Sequence, residues 1–400
     1  MKKVAIIGTA GVPARYGGFE TLVHHLITEW KGQYDVTIYC SKTYYKKHER
    51  PAQWKGAKLV YLPFNANGIQ SIIYDIVSIF HALFIADTLL VLGVSGGIVL
   101  PFVKFFTRKK IIVNIDGLEW RRPKWNKWVQ KFLKFSEFLA VKFSDIDITD
   151  NAALKKYTAI NYGTLSYLVA YGADHVEKPS ITPQSITKYS FLSRRYAFKV
   201  CRIEPENNVH TILEAFDQLP DEHLVVVGNW NNSDYGRDLK QKFAPKHNIT
   251  ILDPIYNQTE LDLLRANCGM YIHGHSAGGT NPSLVEAMYL GLPIIACDVV
   301  YNRATMFGKG MYFKNTDHLA DLIKKISRKE LREHAAEMAE IAQQNYTWGV
   351  IAERYHTLIM SLYNNYKKVK VNSELSKLPV DLLRKMNIQH LKNTRKFYNH

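Results

Sequence analysis

Several things are scarce in this chain of 400 residues. Its four cysteines, at 40, 201, 268 and 297, show no metal-ligand spacing. Three of them fall in or beside apolar strand-like runs, which reads as buried reduced thiols of a cytosolic protein. No stretch of about 20 clean apolar residues exists to span a membrane. The longest apolar region, Ile72 to Phe106, is broken by Asp75, His81, Asp87 and the pair Gly96-Gly97. The opening Met1-Lys-Lys-Val-Ala-Ile-Ile-Gly8 is too short to be the apolar core of a signal peptide and reads as a first strand. No Gly-Lys-Ser/Thr triplet makes a P-loop. Strand two ends in Cys40-Ser41-Lys42, with no carboxylate for a ribose, which disfavours nicotinamide binding. Acidic residues are also short: 36 against 52 Lys and Arg, a net charge of +16. Anionic lipid, a phosphorylated substrate and nucleic acid all fit that balance.

What is present is alternation. In the first half, short β-rich runs (Val4–Gly8, Val36–Cys40, Leu59–Leu62, Thr88–Leu92, Ile111–Ile115, Ile146–Thr149, Leu168–Tyr171) alternate with helical patterns near 18–30 and 72–84. The polar segment 175–188, with Pro179 and Pro183, reads as a linker. The pattern then restarts: strands at 196–201, 224–228, 249–252, 269–273 and 293–297, helices near 209–219, 234–243 and 258–266. Such alternation implies βαβ units and parallel sheets. The expected organisation is an N-terminal Rossmann-like domain over 1–180, a second over 190–346, a C-terminal helix over 347–366 that packs back across a cleft, and a basic amphipathic tail over 367–400. Two doubly wound domains facing each other place ligands at the carboxyl ends of both sheets.

The most informative stretch is His273-Gly-His-Ser-Ala-Gly-Gly-Thr-Asn-Pro-Ser-Leu-Val-Glu-Ala-Met288, a strand, a glycine-rich loop and a helix start. Thr280 or Asn281 can cap the helix and Pro282 suits its first turn. Backbone N–H groups at the positive end of a helix favour a phosphate or diphosphate. Glu286, about one turn inside, is placed to accept hydrogen bonds from vicinal sugar hydroxyls, and together these features suggest a nucleotide-sugar site. His273 and His275 flank Gly274 without a third ligand at metal spacing, so no zinc site is expected; His275 is counted with the donor loop. Gly17 and Gly18, at a helix start after the loop Gly8 to Glu20, permit close backbone approach to a ligand, or simply make the turn. Asp116 and Glu119, directly after an apolar strand, are candidates to take a proton from an acceptor hydroxyl. Arg121, Arg122 and Lys124, interleaved with Trp120, Trp125 and Trp128, either meet a pyrophosphate and a membrane surface or form a solvated basic helix. Arg202 either holds a diphosphate bidentately or makes a surface ion pair. Asp145-Ile-Asp147 sits in a strand-like run and is read as chance rather than as a metal motif. The tail holds nine Lys or Arg and can lie on anionic lipid or dock on its own protein.

From Phe198-Lys-Val-Cys-Arg-Ile through Asn-Pro-Ser-Leu-Val-Glu-Ala-Met to Gly291-Leu-Pro-Ile-Ile-Ala, the chain resembles the retaining GT-B glycosyltransferases of family 4. The Gly8-to-Glu20 loop and the Asp116-Gly-Leu-Glu-Trp run are similar to a bacterial subgroup that includes β-1,4-rhamnosyltransferases of capsule and cell-wall rhamnan synthesis. The resemblance covers residues 1 to 365. It implies that Glu286 binds the ribose, Arg202 meets the diphosphate, and Gly278, Gly279 and Thr280 lie against the donor sugar, with no bound metal or other cofactor. Two positions depart from the family pattern: Gly278 stands where the first glutamate of a pair ending in Glu286 is usual, and Asn207 where a lysine is usual. The lost carboxylate suggests an altered sugar pocket compatible with a 6-deoxy sugar. The expected activity is transfer of L-rhamnose from dTDP-rhamnose onto a lipid-diphosphate-linked saccharide, at the cytoplasmic face of the plasma membrane. The alternatives are a UDP- or GDP-sugar donor, a GT-B sugar-nucleotide epimerase, and, resting on charge alone, a nucleic-acid binder.

Overall fold

The computed structural model describes every residue except 16, 116, 123, 124, 365 and 369–400. The chain divides into two compact units: Met1–Ala170 together with the chain from Gly349 onward, and Tyr171–Trp348.

Unit 1 is built on eight strands: β1 (Lys2–Ile7), β2 (Tyr34–Ser41), β3 (Gln53–Trp54), β4 (Ala57–Leu62), β5 (Thr88–Leu92), β6 (Lys110–Ile115), β7 (Ile146–Thr149) and β8 (Tyr167–Leu168), in the order β3-β4-β2-β1-β5-β6-β7-β8. All pairings are parallel except β3 with β4. The order reverses at β1, which pairs β2 on one side and β5 on the other. Strands β1 and β5 to β7 are predominantly apolar because helices cover both faces of a parallel sheet, leaving no solvent face. Ala5, Leu89, Val91, Ile111 and Val113 are fully buried among them, and each larger side chain contributes about 1.5–3 kcal/mol.

The helix Trp348–Ser361 groups with unit 1 from Gly349 on. Tyr355 is fully buried and accepts from Asn114 Nδ2 at 2.6 Å, Tyr34 Oη meets His356 Nδ1 at 2.7 Å, and Trp30 Nε1 donates to the Ala352 carbonyl. This helix stops at Ser361, short of the expected 366, and β8 is confined to two residues.

Unit 2 carries β9 (Ala197–Val200), β10 (Leu224–Val227), β11 (Ile249–Leu252), β12 (Met270–His273), β13 (Ile294–Cys297) and β14 (Met311–Phe313), all parallel, in the order β11-β10-β9-β12-β13-β14. Here the reversal lies at β9, between β10 and β12. The loops that leave β9 and β12 therefore open side by side, the place where open α/β sheets hold ligands. Phe216, Trp230, Phe243 and Leu264 are fully buried in this unit. Among the described residues no helix is long and apolar enough to cross a membrane.

Candidate functional site

The loop between β12 and the helix Pro282–Tyr289 is held at several points within unit 2. Asn281 is the cap: its side chain accepts from the Ser283 backbone N–H at 3.0 Å and from Ser283 Oγ at 2.7 Å. Thr280 is buried instead, with its hydroxyl facing that of Thr305. Ser276 bonds the Glu206 carbonyl through both its N–H and its hydroxyl, tying this loop to the turn after β9. Asn302 holds the His275 carbonyl at 2.9 Å, and the His273 and His275 rings stack with centroids 4.5 Å apart. Gly278 sits in open space with φ +106°, a backbone conformation L side chains rarely adopt. A glutamate at this position would meet backbone strain, which gives a physical reason why the expected acid is missing.

Glu286 is the centre of a charged network. Arg265, on the helix Gln258–Ala266, is wholly buried and forks between two carboxylates: Nη2 reaches Asp262 Oδ1 at 2.6 Å and Nη1 reaches Glu286 Oε2. His175 Nε2 lies 3.3 Å from Glu286 Oε1. Trp348 Nε1 donates to His175 Nδ1 at 3.0 Å, and an indole N–H can only donate, so this contact assigns the imidazole hydrogen to Nε2, facing Glu286. Asp174 receives the Trp348 backbone N–H at 2.6 Å, fixing the indole in turn. Burial pushes the Glu286 carboxyl up, but the Arg265 guanidinium and His175 outweigh it and hold the group at about 2. Glu286 is thus ionised throughout the physiological range, and an edge of its side chain remains 14% exposed. It can accept hydroxyl hydrogen bonds without first losing a proton.

In the turn after β9, Arg202 is half exposed, with Nη1 3.6 Å from Glu204 Oε1. Such an exposed pair contributes about 0–1 kcal/mol, so it leaves the guanidinium able to turn to an anion. Asn207 is buried and donates to the Arg202 carbonyl at 2.7 Å, so it shapes this turn from within. Lys199, on β9, is fully buried, and among the described residues its Nζ makes no hydrogen bond. Burial lowers its pKa from the ordinary value.

In unit 1, Gly17 has φ +127°, and a Cβ there would lie 1.9 Å from Glu20 Oε2. The glycine makes room for a carboxylate of its own chain. Glu20 Oε1 accepts the Ala10 N–H at 2.6 Å and the Thr9 hydroxyl at 3.1 Å, pinning the loop. Gly18 opens the helix Gly18–Trp30. Glu119 meets Arg122 Nη1 at 3.2 Å and accepts from Trp125 Nε1 at 3.0 Å, so its carboxylate braces the local turn. Arg121 lies over the Trp120 ring at 5.0 Å. Asp116 and Lys124 lie outside the described residues, as does most of the expected tail. Asp147 is buried and bonded by Thr164 and paired with Lys368 at 2.6 Å, while Asp145 accepts the Ile111 N–H. Both aspartates therefore serve the fold.

Three residues of the Glu286 network escaped the sequence reading. Arg265 and Asp262 stand three apart on one helix, a spacing that signals an ion pair on a stripe otherwise apolar. His175 opens the segment read as a linker, and no local pattern marks it.

Comparison with known proteins gives unit 2 a family likeness. Residues 186–345 match the family model described as glycosyl transferases group 1. Over this segment the chain is similar to the group 1 glycosyltransferases. Residues 1–174 match a domain described only as of unknown function. A curated relative, glycosyltransferase 1 domain-containing protein 1 of Xenopus tropicalis, is 21% identical over 150 residues, 36% of this chain and 43% of that protein; the match thus spans less than half of the relative. Sucrose-phosphate synthase from Thermosynechococcus elongatus superposes with a TM-score of 0.75 at 16% identity, covering 91% of this chain and all of that one. Anabaena HepE in complex with UDP-glucose superposes at 0.66 and 16% identity, over 90% of this chain and all of that one. These likenesses identify the GT-B fold, with two Rossmann-like units, in this chain.

Proposed function

We propose that this glycosyltransferase moves L-rhamnose from dTDP-rhamnose, with retention of configuration, onto a lipid-diphosphate-linked saccharide in bacterial surface polysaccharide synthesis. The observation that carries the donor reading is the loop at Gly278: beside an ionised Glu286 suited to ribose hydroxyls, the place of a second carboxylate is held by a residue at φ +106°. A pocket short of one carboxylate loses acceptors for sugar hydroxyls, which costs least for a donor that itself lacks a hydroxyl. Arg202 and the amino end of the helix Pro282–Tyr289 stabilise the departing diphosphate, with Gly279, Thr280 and His275 shaping the sugar side. No resident metal is needed in this scheme. Asp116 orients the acceptor hydroxyl, Glu119 positions Arg122, and Arg121, Arg122 and Lys124 receive the acceptor diphosphate at the inner face of the plasma membrane.

A donor screen tests this. Purified protein is incubated with dTDP-rhamnose, UDP-glucose and GDP-mannose, with and without lipid-diphosphate acceptors, and products are read by mass. Rhamnose transfer that depends on the acceptor is expected. Transfer from the UDP or GDP donor alone overturns the donor assignment, and an isomerised nucleotide sugar formed without acceptor overturns transferase activity itself.

A further inference from the structure

We propose that the exposed face formed by the helices Gln70–Ile85, Leu100–Phe106 and Lys127–Phe143 of unit 1 is a docking surface for an anionic lipid bilayer. On the third helix, Trp128, Lys131, Phe135, Phe138 and Lys142 recur at spacings of three and four, which places them on one stripe. Trp128 is 81% exposed and Phe135 53%. The opposite stripe, with Leu133, Ser136, Ala140 and Val141, already serves the core; of the aromatics only Phe138, beside Tyr162 at 6.1 Å, packs on a neighbouring helix, among the described residues.

The neighbouring helices extend the patch. Phe105 and Phe106 are 73% and 74% exposed and Phe84 87%. Ring contacts join the three helices into one surface: Phe105 to Phe143 at 5.6 Å and Phe80 to Phe102 at 5.7 Å. Patches of this kind on a soluble domain mark an interaction site.

The charges choose the occupant. Lys127, Lys131, Lys134 and Lys142 share the exposed face of the third helix. Its one acid, Glu137, is turned inward and held by Tyr157 and Tyr162. Lys131 lies over the Trp128 ring at 5.4 Å, and Lys142 over Phe138 at 5.3 Å. Protein interfaces are depleted in lysine. Trp and Phe set among lysines, with no acid between them, match the headgroup and upper acyl region of an anionic leaflet. The net charge of +16 acts in the same direction.

This surface deepens the membrane part of the proposed function and is independent of donor, acceptor and reaction. Its test uses the full chain with neither substrate present. Co-sedimentation with vesicles of phosphatidylglycerol and phosphatidylcholine is compared with pure phosphatidylcholine. Wild type is expected to bind the anionic vesicles and not the neutral ones. Each lysine near an anionic leaflet is worth roughly fivefold in partition, so K131A/K134A is expected to lose roughly thirtyfold. F105S/W128S is expected to fall to background with an unchanged melting temperature. Wild type that binds both vesicle types alike, or neither, overturns the proposal. So do variants that bind as well as wild type, which would move the contact to the basic tail. A wild-type dimer that ignores vesicles and is dissociated by F105S/W128S identifies a self-association face instead.

Discussion

Replacing Arg265 by methionine removes the one buried cation between Asp262 and Glu286 while keeping an unbranched side chain of similar length. A carboxyl held at about 2 rather than at its ordinary 4.5 reflects about 3 kcal/mol of preference for the charged form. Stripping the partner from a buried pair costs about 3–5 kcal/mol, because the remaining charge keeps its burial penalty. R265M is therefore expected to destabilise unit 2 by about 3–5 kcal/mol at neutral pH. The pH dependence has a definite sign. In wild type the Glu286 carboxyl is depressed in the fold, so its contribution is present above about 4.5 and is lost as pH falls toward about 2. In the variant, burial without Arg265 favours the protonated acid, so the fold gains as pH falls. The gap between the two proteins must narrow between pH 7 and pH 4. Urea unfolding read through the buried Trp230 measures it in this unit. A gap below about 1 kcal/mol at pH 7, the size of a surface pair, or one that stays constant with pH, refutes the network as the organiser of Glu286.

Three further outcomes are expected. Lys199→Met removes a buried ammonium that has the Cys201 thiol but, among the described residues, no oxygen acceptor beside it, and should stabilise unit 2 by about 1–3 kcal/mol at pH 7. Burial lowers the Lys199 pKa, so the unfolded chain binds the extra proton below 10.5, wild type gains stability as pH rises toward that value, and the advantage of the variant should shrink over the same range in urea melts. Asn281→Ala deletes the helix cap and should cost about 1 kcal/mol in thermal unfolding, with a rise in donor KM. Gly278→Ala should lower kcat/KM about tenfold through roughly 1–2 kcal/mol of loop strain, with a matching fall of roughly 2–8 °C in melting temperature.

The parallel-sheet architecture was legible because strands buried on both faces are written as unbroken apolar runs, as in Leu89-Leu-Val-Leu92 and Leu224-Val-Val-Val227. Edge elements were not: Gln53–Trp54 pairs antiparallel over two residues, too short to show a period, and Met311–Phe313 is equally brief. The helix cap was readable from Asn281-Pro282, whose chemistry is local. The partners of Glu286 were not, since His175 and Arg265 reach it from 111 and 21 residues away and nothing in the sequence declares that meeting. Gly17 is a subtler case: a glycine that looks made for a ligand is required by Glu20, three residues on.

On the proposed donor reading, the conformation of Gly278 bears on how the sugar preference could change. Because the position is set by a backbone angle rather than by crowding, restoring a glutamate there exchanges a missing acceptor for a distorted loop. A switch of donor must then pass through several coordinated changes between Ser276 and Asn281, and single-residue libraries at 278 will return damaged catalysts rather than new specificities. Diversifying the loop as a unit, with Arg265 and His175 left untouched, is the route by which a different hexose could be accommodated.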